Sequence, residues 1–405
     1  MKEYKLLLYL LAAVNFTHIM DFMIIMPLAD IFMSQFQIDT TAFSLLVTSY
    51  KFSAGVVGLI GVTFIDRFDR KKLLLSIYIG FSIGTFFCGL SNSYSTLLIA
   101  RIITGGFGGL IGALVLSIVG DAIPLSQRAS AMGVVMSSFG LASVAGIPFG
   151  LYLTDLINWR MPFFVLATGS VIVGLFMFKV MPSMKEHVTS KQVSTIRKFK
   201  NIFSNKNQVI ALLLGVILIS GQYTIIPFLA PYMLKNVGFL QEQLKYIYLA
   251  GGLCSFFISP WIGRMADRFG RLKVFAATAS LVTIPIYLLT HLPETSLLHA
   301  LIITSLFFIL ASGRIVTVQT MITAVVTPES RGSFMSMRTA IQQLGSGLAA
   351  FVSGIIITVN ASGQLTHYDT VGYIAIASSF LAILLARALK VVPEKEEVVY
   401  TESEI

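Results

Sequence analysis

The chain has 405 residues, 56% apolar and only 12% charged, against roughly 25% charged in a soluble globular domain. A soluble fold of this size has no interior large enough for so much apolar surface, so the bilayer must solvate most of it. The formal net charge of +10 does not point to nucleic acid, because the basic residues sit in short loops between apolar runs rather than on a water-facing surface.

Taken in order, the apolar segments fall at about 6–30, 42–65, 73–91, 96–120, 130–156, 160–182, 207–233, 243–264, 274–292, 298–326, 334–359 and 369–389. Each is long enough to cross ~30 Å of hydrocarbon at 1.5 Å per residue. Lipid offers the backbone no hydrogen bonds, so each must be a helix. The run after Lys5 continues well past the apolar core of a signal peptide and has no small-residue cleavage site, so it is read as span one. The lysines and arginines set the orientation. With both termini in the cytoplasm, 22 of the 29 lie in cytoplasmic segments, while Arg160 and Lys235 alone lie in the outer loops. The expected place is the inner membrane, multi-pass, with the bilayer lipid as the surrounding partner.

Residues 183–206 form the longest polar stretch. Ile196, Phe199 and Phe203 recur there at helical spacing among Arg197, Lys198 and Lys200. The pattern suits either an amphipathic helix on an anionic leaflet or a solvated linker. The acidic tail, 392–405, is expected to be disordered. The division is therefore 1–182, a linker over 183–206, 207–391 and the tail.

A repeat relates the two halves. Asp66-Arg67-Phe68-Asp69-Arg70 follows span two, and Gly263-Arg264-Met265-Ala266-Asp267-Arg268-Phe269-Gly270-Arg271 follows span eight, 201 residues on. A period near half the chain length indicates a duplicated membrane unit.

Ionisable residues within spans are functional candidates by default. Span one carries Asn15, His18 and Asp21 at helical spacing; span two carries Lys51, span four Arg101 and span ten Arg314. From helix rise, Asp21 lies ~10–14 Å, Lys51 ~13 Å and Arg101 ~8 Å from the outer end, and Arg314 ~24 Å. The first three are expected to form one cluster facing a cavity between the halves. The 201-residue offset places Gln222 opposite Asp21, so a titratable group stands in the first half only. Asp21 is the leading candidate for a proton site and His18 the second. For Asp21 the alternative is a permanent ion pair with Lys51 or Arg101 that only fixes packing; for His18 it is a structural histidine. For Arg101 and Arg314, binding of an anionic substrate and binding of backbone carbonyls stay open. Gly105, Gly106, Gly108 and Gly109 are read as close-packing positions. Met23, Met26, Tyr223 and Phe228 are expected to line the cavity.

The whole chain resembles the major facilitator superfamily: 6+6 helices, a basic central loop and a charged motif after spans two and eight. Gly263 to Arg271 is similar to the family's Gly-x-Leu-Ala-Asp-Arg-x-Gly-Arg pattern, with Met265 in the Leu place. The first copy departs from it, with Val62 at the first glycine and Asp69 at the second. Arg101 to Gly105 resembles the family's Arg-x-x-x-Gly signature. Gly146, Pro148 and Gly150, followed by Trp159-Arg160, resemble the antiporter motif of the bacterial drug–proton and sugar-efflux branch. The resemblance implies an all-α membrane fold of two pseudo-symmetric six-helix bundles. It implies gating by Asp66, Arg67, Arg70, Asp121, Gly263, Asp267, Arg268, Gly270 and Arg271. Asp66 would meet the start of span eleven near Ser333, Asp267 the start of span five near Ser130, and Arg70 would pair with Asp121. The alternative is that these are topology-setting charges only.

The expected function is alternating-access transport: proton-coupled efflux of a small amphipathic solute, drug-like or a sugar. Proton-coupled uptake or lysolipid translocation is the alternative, and a membrane sensor or enzyme the more distant one. No phosphate loop, no His-Glu-x-x-His and no metal-ligand cluster occurs, so neither catalysis nor a cofactor is expected. Cys88 and Cys254, both in apolar segments, make no disulfide framework. Protons and a small solute are the expected partners, and a monomer the expected state.

Overall fold

The computed structural model describes residues 5–64, 68–123, 125–184, 200, 202–323, 325–326 and 328–390, with side chains at 62–64, 125–130, 323 and 328–333 left aside. Twelve helices among them are long and apolar enough to cross a membrane. Spans one to six are Lys5–Ile24, Thr40–Gly61, Arg70–Leu90, Tyr94–Ala122, Ala131–Leu156 and Met161–Val180. Spans seven to twelve are Lys206–Lys235, Gln241–Phe269, Arg271–Thr290, Leu297–Ile322, Phe334–Ile356 and Tyr368–Ala388. The chain is an all-helical, multi-pass membrane protein of two six-helix bundles. A two-residue strand pair, Thr358–Val359 with Leu365–Thr366, ties the loop before span twelve.

Helix starts follow capping chemistry. Ser93 and Thr96 form a capping box at span four, and the Asn205 side chain accepts from the Asn207 and Gln208 amides at span seven. Large apolar side chains such as Phe178, Phe257, Leu298 and Leu384 stand exposed, as lipid-facing positions require.

Four spans are interrupted near a proline, which removes a backbone donor. In span nine a turn at Val282 precedes Thr283–Thr290, with Pro285 near its start. Span one ends at Ile24; a turn over 25–28 containing Pro27 leads into a short helix, Ala29–Phe36. The continuous segment expected over 6–30 is thus broken. Span seven breaks at the matching place: a turn at 224–225 precedes Ile226–Lys235, with Pro227 in its first turn. In span five a π turn, Ala142–Gly146, precedes Ile147–Leu156 with Pro148 in the first turn. Pro148 has no N–H for the carbonyl four residues back, and the helix widens there.

The charged loops after spans two and eight follow an even number of crossings, so they share one face of the membrane, here called the basic face. Toward the opposite face the halves share one apolar core, with Phe22, Met26, Phe43 and Tyr50 packed among Phe228, Met233, Tyr248 and Tyr368. Toward the basic face each half keeps its own: Leu11, Phe81, Leu114 and Met177 in the first, Leu214, Phe275, Ile322 and Phe334 in the second. Met26 and Phe228 therefore lie buried inside this shared core, the seam between the halves, while Met23 and Tyr223 pack at its margin.

Polar contacts reinforce the seam. Thr40 donates to the Ile357 carbonyl (2.5 Å), Thr41 to Gly354 (3.1 Å) and Thr48 to Gly347 (2.9 Å), joining spans two and eleven. Lys235 pairs with Asp30 at 2.9 Å and Lys245 with Asp155 at 3.9 Å, each across the halves.

Candidate functional site

Asp21 and Arg101 meet in the first half. Arg101 Nη1 lies 2.8 Å from Asp21 Oδ2 and also donates to the Asp21 carbonyl at 3.3 Å. Thr85 of span three donates to Asp21 Oδ1 at 2.9 Å. Both charged side chains are 0% exposed. The Tyr50 ring covers the guanidinium at 4.2 Å, a cation–π arrangement.

Glycines make this closure possible. A Cβ on Gly105 would lie 2.4 Å from the Tyr50 carbonyl oxygen, and one on Gly109 2.3 Å from that of Ala54. Span two therefore lies directly on span four, as the glycine-rich sequence implied. Of the expected cluster, the structure brings Asp21 and Arg101 together and sets Lys51 apart. Asp21 and Arg101 are shut inside the bundle behind Tyr50. Lys51 instead reaches the seam. Its Nζ donates to Gln343 of span eleven at 2.7 Å and stands over the rings of Phe22 (3.7 Å) and Tyr223 (4.8 Å). The partner of Asp21 is Arg101.

The polar stripe of span one likewise divides. Asn15 donates to Ser138 Oγ at 2.8 Å, fastening span one to span five. His18 stands 3.5 Å from the Tyr50 hydroxyl and edge-on to Phe81. Gln222 is partly buried, its Oε1 without a hydrogen-bond partner.

In the second half Arg314 is 1% exposed and donates Nη1 to Ser379 Oγ of span twelve at 2.8 Å, leaving Nε and Nη2 without partners. Arg338 of span eleven is buried too. Its Nη1 donates to Gln319 Oε1 at 2.5 Å, and its Nε has no partner. Arg338 is not among the candidates that the sequence singles out. Gln319, Gln342 and Gln343, amides in otherwise apolar spans, were the available signal. Thr85 carried none.

The motif residues separate by copy. Arg70 Nε meets Asp121 Oδ2 at 3.1 Å, as expected. Asp66 and Arg67 lie outside the described residues, as do the side chains of Ser130 and Ser333. Asp267 is 72% exposed and only loosely paired with Arg271, at 4.0 Å; Arg268 lies over the Phe269 ring. Gly270 has φ +97°, a left-handed conformation that glycine tolerates and other residues resist. Gly263 has no tight neighbour.

Asp69, at the place of Gly270 in the first copy, has φ −56° and caps span three, accepting from the Lys71 amide at 2.8 Å. It also accepts from Ser183 and from the Met184 amide at 3.3 Å, which ties span three to the segment after span six. Burial opposes its charge, but these donors together hold the carboxyl below its ordinary range.

The Gly146-Pro148-Gly150 motif lies at the π turn. A Cβ on Gly146 would meet Met20 Sδ at 2.6 Å, and one on Gly150 would meet Ile24 Cδ1 at 2.6 Å, so the glycines seat span one. From the other half, a Cβ on Gly252 would lie 3.1 Å from the Ser143 backbone. No group of three or more metal-ligating side chains occurs among the described residues.

Comparisons with known proteins agree with this fold. A sequence model of the Major Facilitator Superfamily matches residues 11–221 and 211–404. An uncharacterized MFS-type transporter, YceJ of Bacillus subtilis, is 22% identical over 368 residues, covering 91% of this chain and 93% of its own. Among solved structures, a D-xylose-proton symporter superposes with a TM-score of 0.76 at 15% identity, covering 96% of this chain and 98% of that one. An inward-facing, unoccupied bacterial homologue of the human lysosomal transporter Spinster does so at 0.72 and 17%, with the same coverage. Twelve spans in two bundles, matched by the family model along nearly their whole length, place the chain in the Major Facilitator Superfamily of membrane transporters.

Proposed function

We propose that the chain is a proton-coupled secondary transporter that works by alternating access and expels a small amphipathic solute. The observation that carries this reading is the fully buried Asp21–Arg101 pair, a carboxylate inside the membrane held by one cation and one hydroxyl. A proton on Asp21 removes the charge that holds Arg101. From there a run of contacts leads to the seam. Arg101 lies under Tyr50, Tyr50 packs on Phe22 (5.3 Å), Phe22 lies beneath Lys51, and Lys51 is bonded to Gln343 of the other half. Protonation in the first half is thereby linked to the contact that must break when the halves rock apart. The shared core on the opposite face and the separate cores on the basic face suit a state open toward the basic face.

In this reading the basic face is cytoplasmic, both termini lie inside, the protein acts as a monomer in the inner membrane, and residues 1–182 and 207–391 are the moving bodies. The span-five motif favours efflux. A proton symporter among the structural neighbours makes proton-coupled uptake the second reading.

The test is a proteoliposome assay with an imposed pH gradient, screened over amphipathic dyes and sugars. The wild type moves a solute in response to the gradient. Asp21→Asn folds, binds and shows no gradient-driven movement. Unchanged gradient-driven transport by Asp21→Asn overturns the coupling site, and no response by the wild type to any solute overturns the reading.

A further inference from the structure

We propose that the second half binds the anionic headgroup of the transported amphipath, with Arg338 as its principal ligand. The inference rests on the transporter reading above and names the chemistry of its substrate. Its basis is a charge imbalance. In the interiors of the described spans the buried cations are Lys51, Arg101, Arg314 and Arg338, and the buried carboxylate is Asp21 alone. Arg101 takes that carboxylate. Among the described residues neither Arg314 nor Arg338 has a carboxylate within ion-pair distance. A guanidinium in low dielectric without a counter-charge is unfavourable by several kcal/mol, and an anion arriving with the solute relieves it.

The surroundings of Arg338 suit a ligand site better than a structural clamp. Gln319 of span ten holds one end of the fork. The Nε donor is buried and unpartnered. Gly215 of span seven admits the two side chains: a Cβ there would lie 2.8 Å from Gln342 Nε2 and 3.3 Å from Arg338 Nε. Gln342, one turn along span eleven, donates to the Gly215 carbonyl and brings a second amide to the same spot. Among the described residues, spans seven, ten and eleven thus bring amides and no acid to one guanidinium. Arg314, five residues before Gln319 on span ten, lies about 140° around that helix and turns to Ser379 of span twelve, so it serves a different face. A planar fork with an unpartnered donor recognises carboxylate or phosphate oxygens.

Binding is read at equilibrium without a gradient, so a chain that fails to transport still answers the question. Octyl phosphate, octyl glucoside and octylammonium, matched in chain, are titrated by calorimetry into the full chain in lipid nanodiscs, with empty nanodiscs subtracted. The wild type binds octyl phosphate in preference to the other two. Arg338→Gln weakens octyl phosphate on the order of 30-fold, as expected for removing one partner of a buried charge contact, and leaves octyl glucoside unchanged. Arg338→Lys keeps the charge, loses the fork and retains part of the preference, which serves if Arg338→Gln does not fold. Equal binding of octylammonium by the wild type, no measurable octyl phosphate binding, or full anion preference in a folded Arg338→Gln protein overturns the proposal.

Discussion

At the scale of single residues, the interior of this protein is decided by which charge finds which partner. Replacing Arg101 by Met leaves Asp21 buried without its cation. Removal of one member of a buried pair destabilises by about 3–5 kcal/mol, and the double change Asp21→Asn with Arg101→Met is expected to recover most of that loss. Unfolding in mixed micelles measures both, and equal stability of the wild type and Arg101→Met would show that the pair is not desolvated. The sequence made Asp21, Lys51 and Arg101 visible because charge is rare in apolar runs, and helix rise placed all three near one level. It did not choose between the cations. That choice depends on Gly105 and Gly109, which draw span two onto span four, and on Tyr50 closing over Arg101 while its neighbour Lys51 turns to the seam. Interhelical distance is not written in a one-dimensional pattern, and neither is the Thr85 hydroxyl that completes the site.

At the scale of elements, the two charged loops show how one substitution redirects a turn. Gly270 at φ +97° is the single residue between the end of span eight and the start of span nine. Asp69 cannot adopt that conformation cheaply and instead caps span three through the Lys71 amide while binding Ser183 and the Met184 amide. The departure from the family pattern was legible as a different turn; the new partners after span six were not, because they lie over a hundred residues away. Loss of this cap in Asp69→Ala is expected to cost about 1 kcal/mol at neutral pH. The native carboxyl is held below its ordinary range, so its contribution is fully present above the unfolded value of about 3.9 and fades as the pH falls through that value toward the native one. The stability difference between wild type and Asp69→Ala should therefore be constant from pH 5 upward and shrink below about pH 4. A difference that grows on acidification would contradict the cap. Proline shaped the spans in the same local way: Pro27, Pro148 and Pro227 mark the breaks in spans one, five and seven, though hydropathy alone ran straight through them.

At the scale of the whole molecule, duplication, span count and the common face of the two charged loops were all legible, because each is a property of order along the chain. The conformation was not, because both faces of a rocking carrier use the same residues. Here the halves are joined on the face opposite the basic loops by Thr40, Thr41 and Thr48 on span eleven and by Asp30 with Lys235. A carrier must open this seam once in every cycle. In a background with Cys88 and Cys254 replaced, cysteines at Asp30 and Lys235 should be joined by a short bismaleimide, since the two side chains meet across the halves at 2.9 Å. The cross-linked protein should still expose the crevice from the basic face and should not move solute. Each single-cysteine protein treated alike should remain active, which separates the bridge from mere modification. Cross-linking yield should also fall when a solute and a pH gradient drive the carrier toward the other state. Full transport by a completely cross-linked protein would mean that this seam stays shut throughout the cycle, and the two bundles would then have to exchange access by some motion other than rocking about their centre.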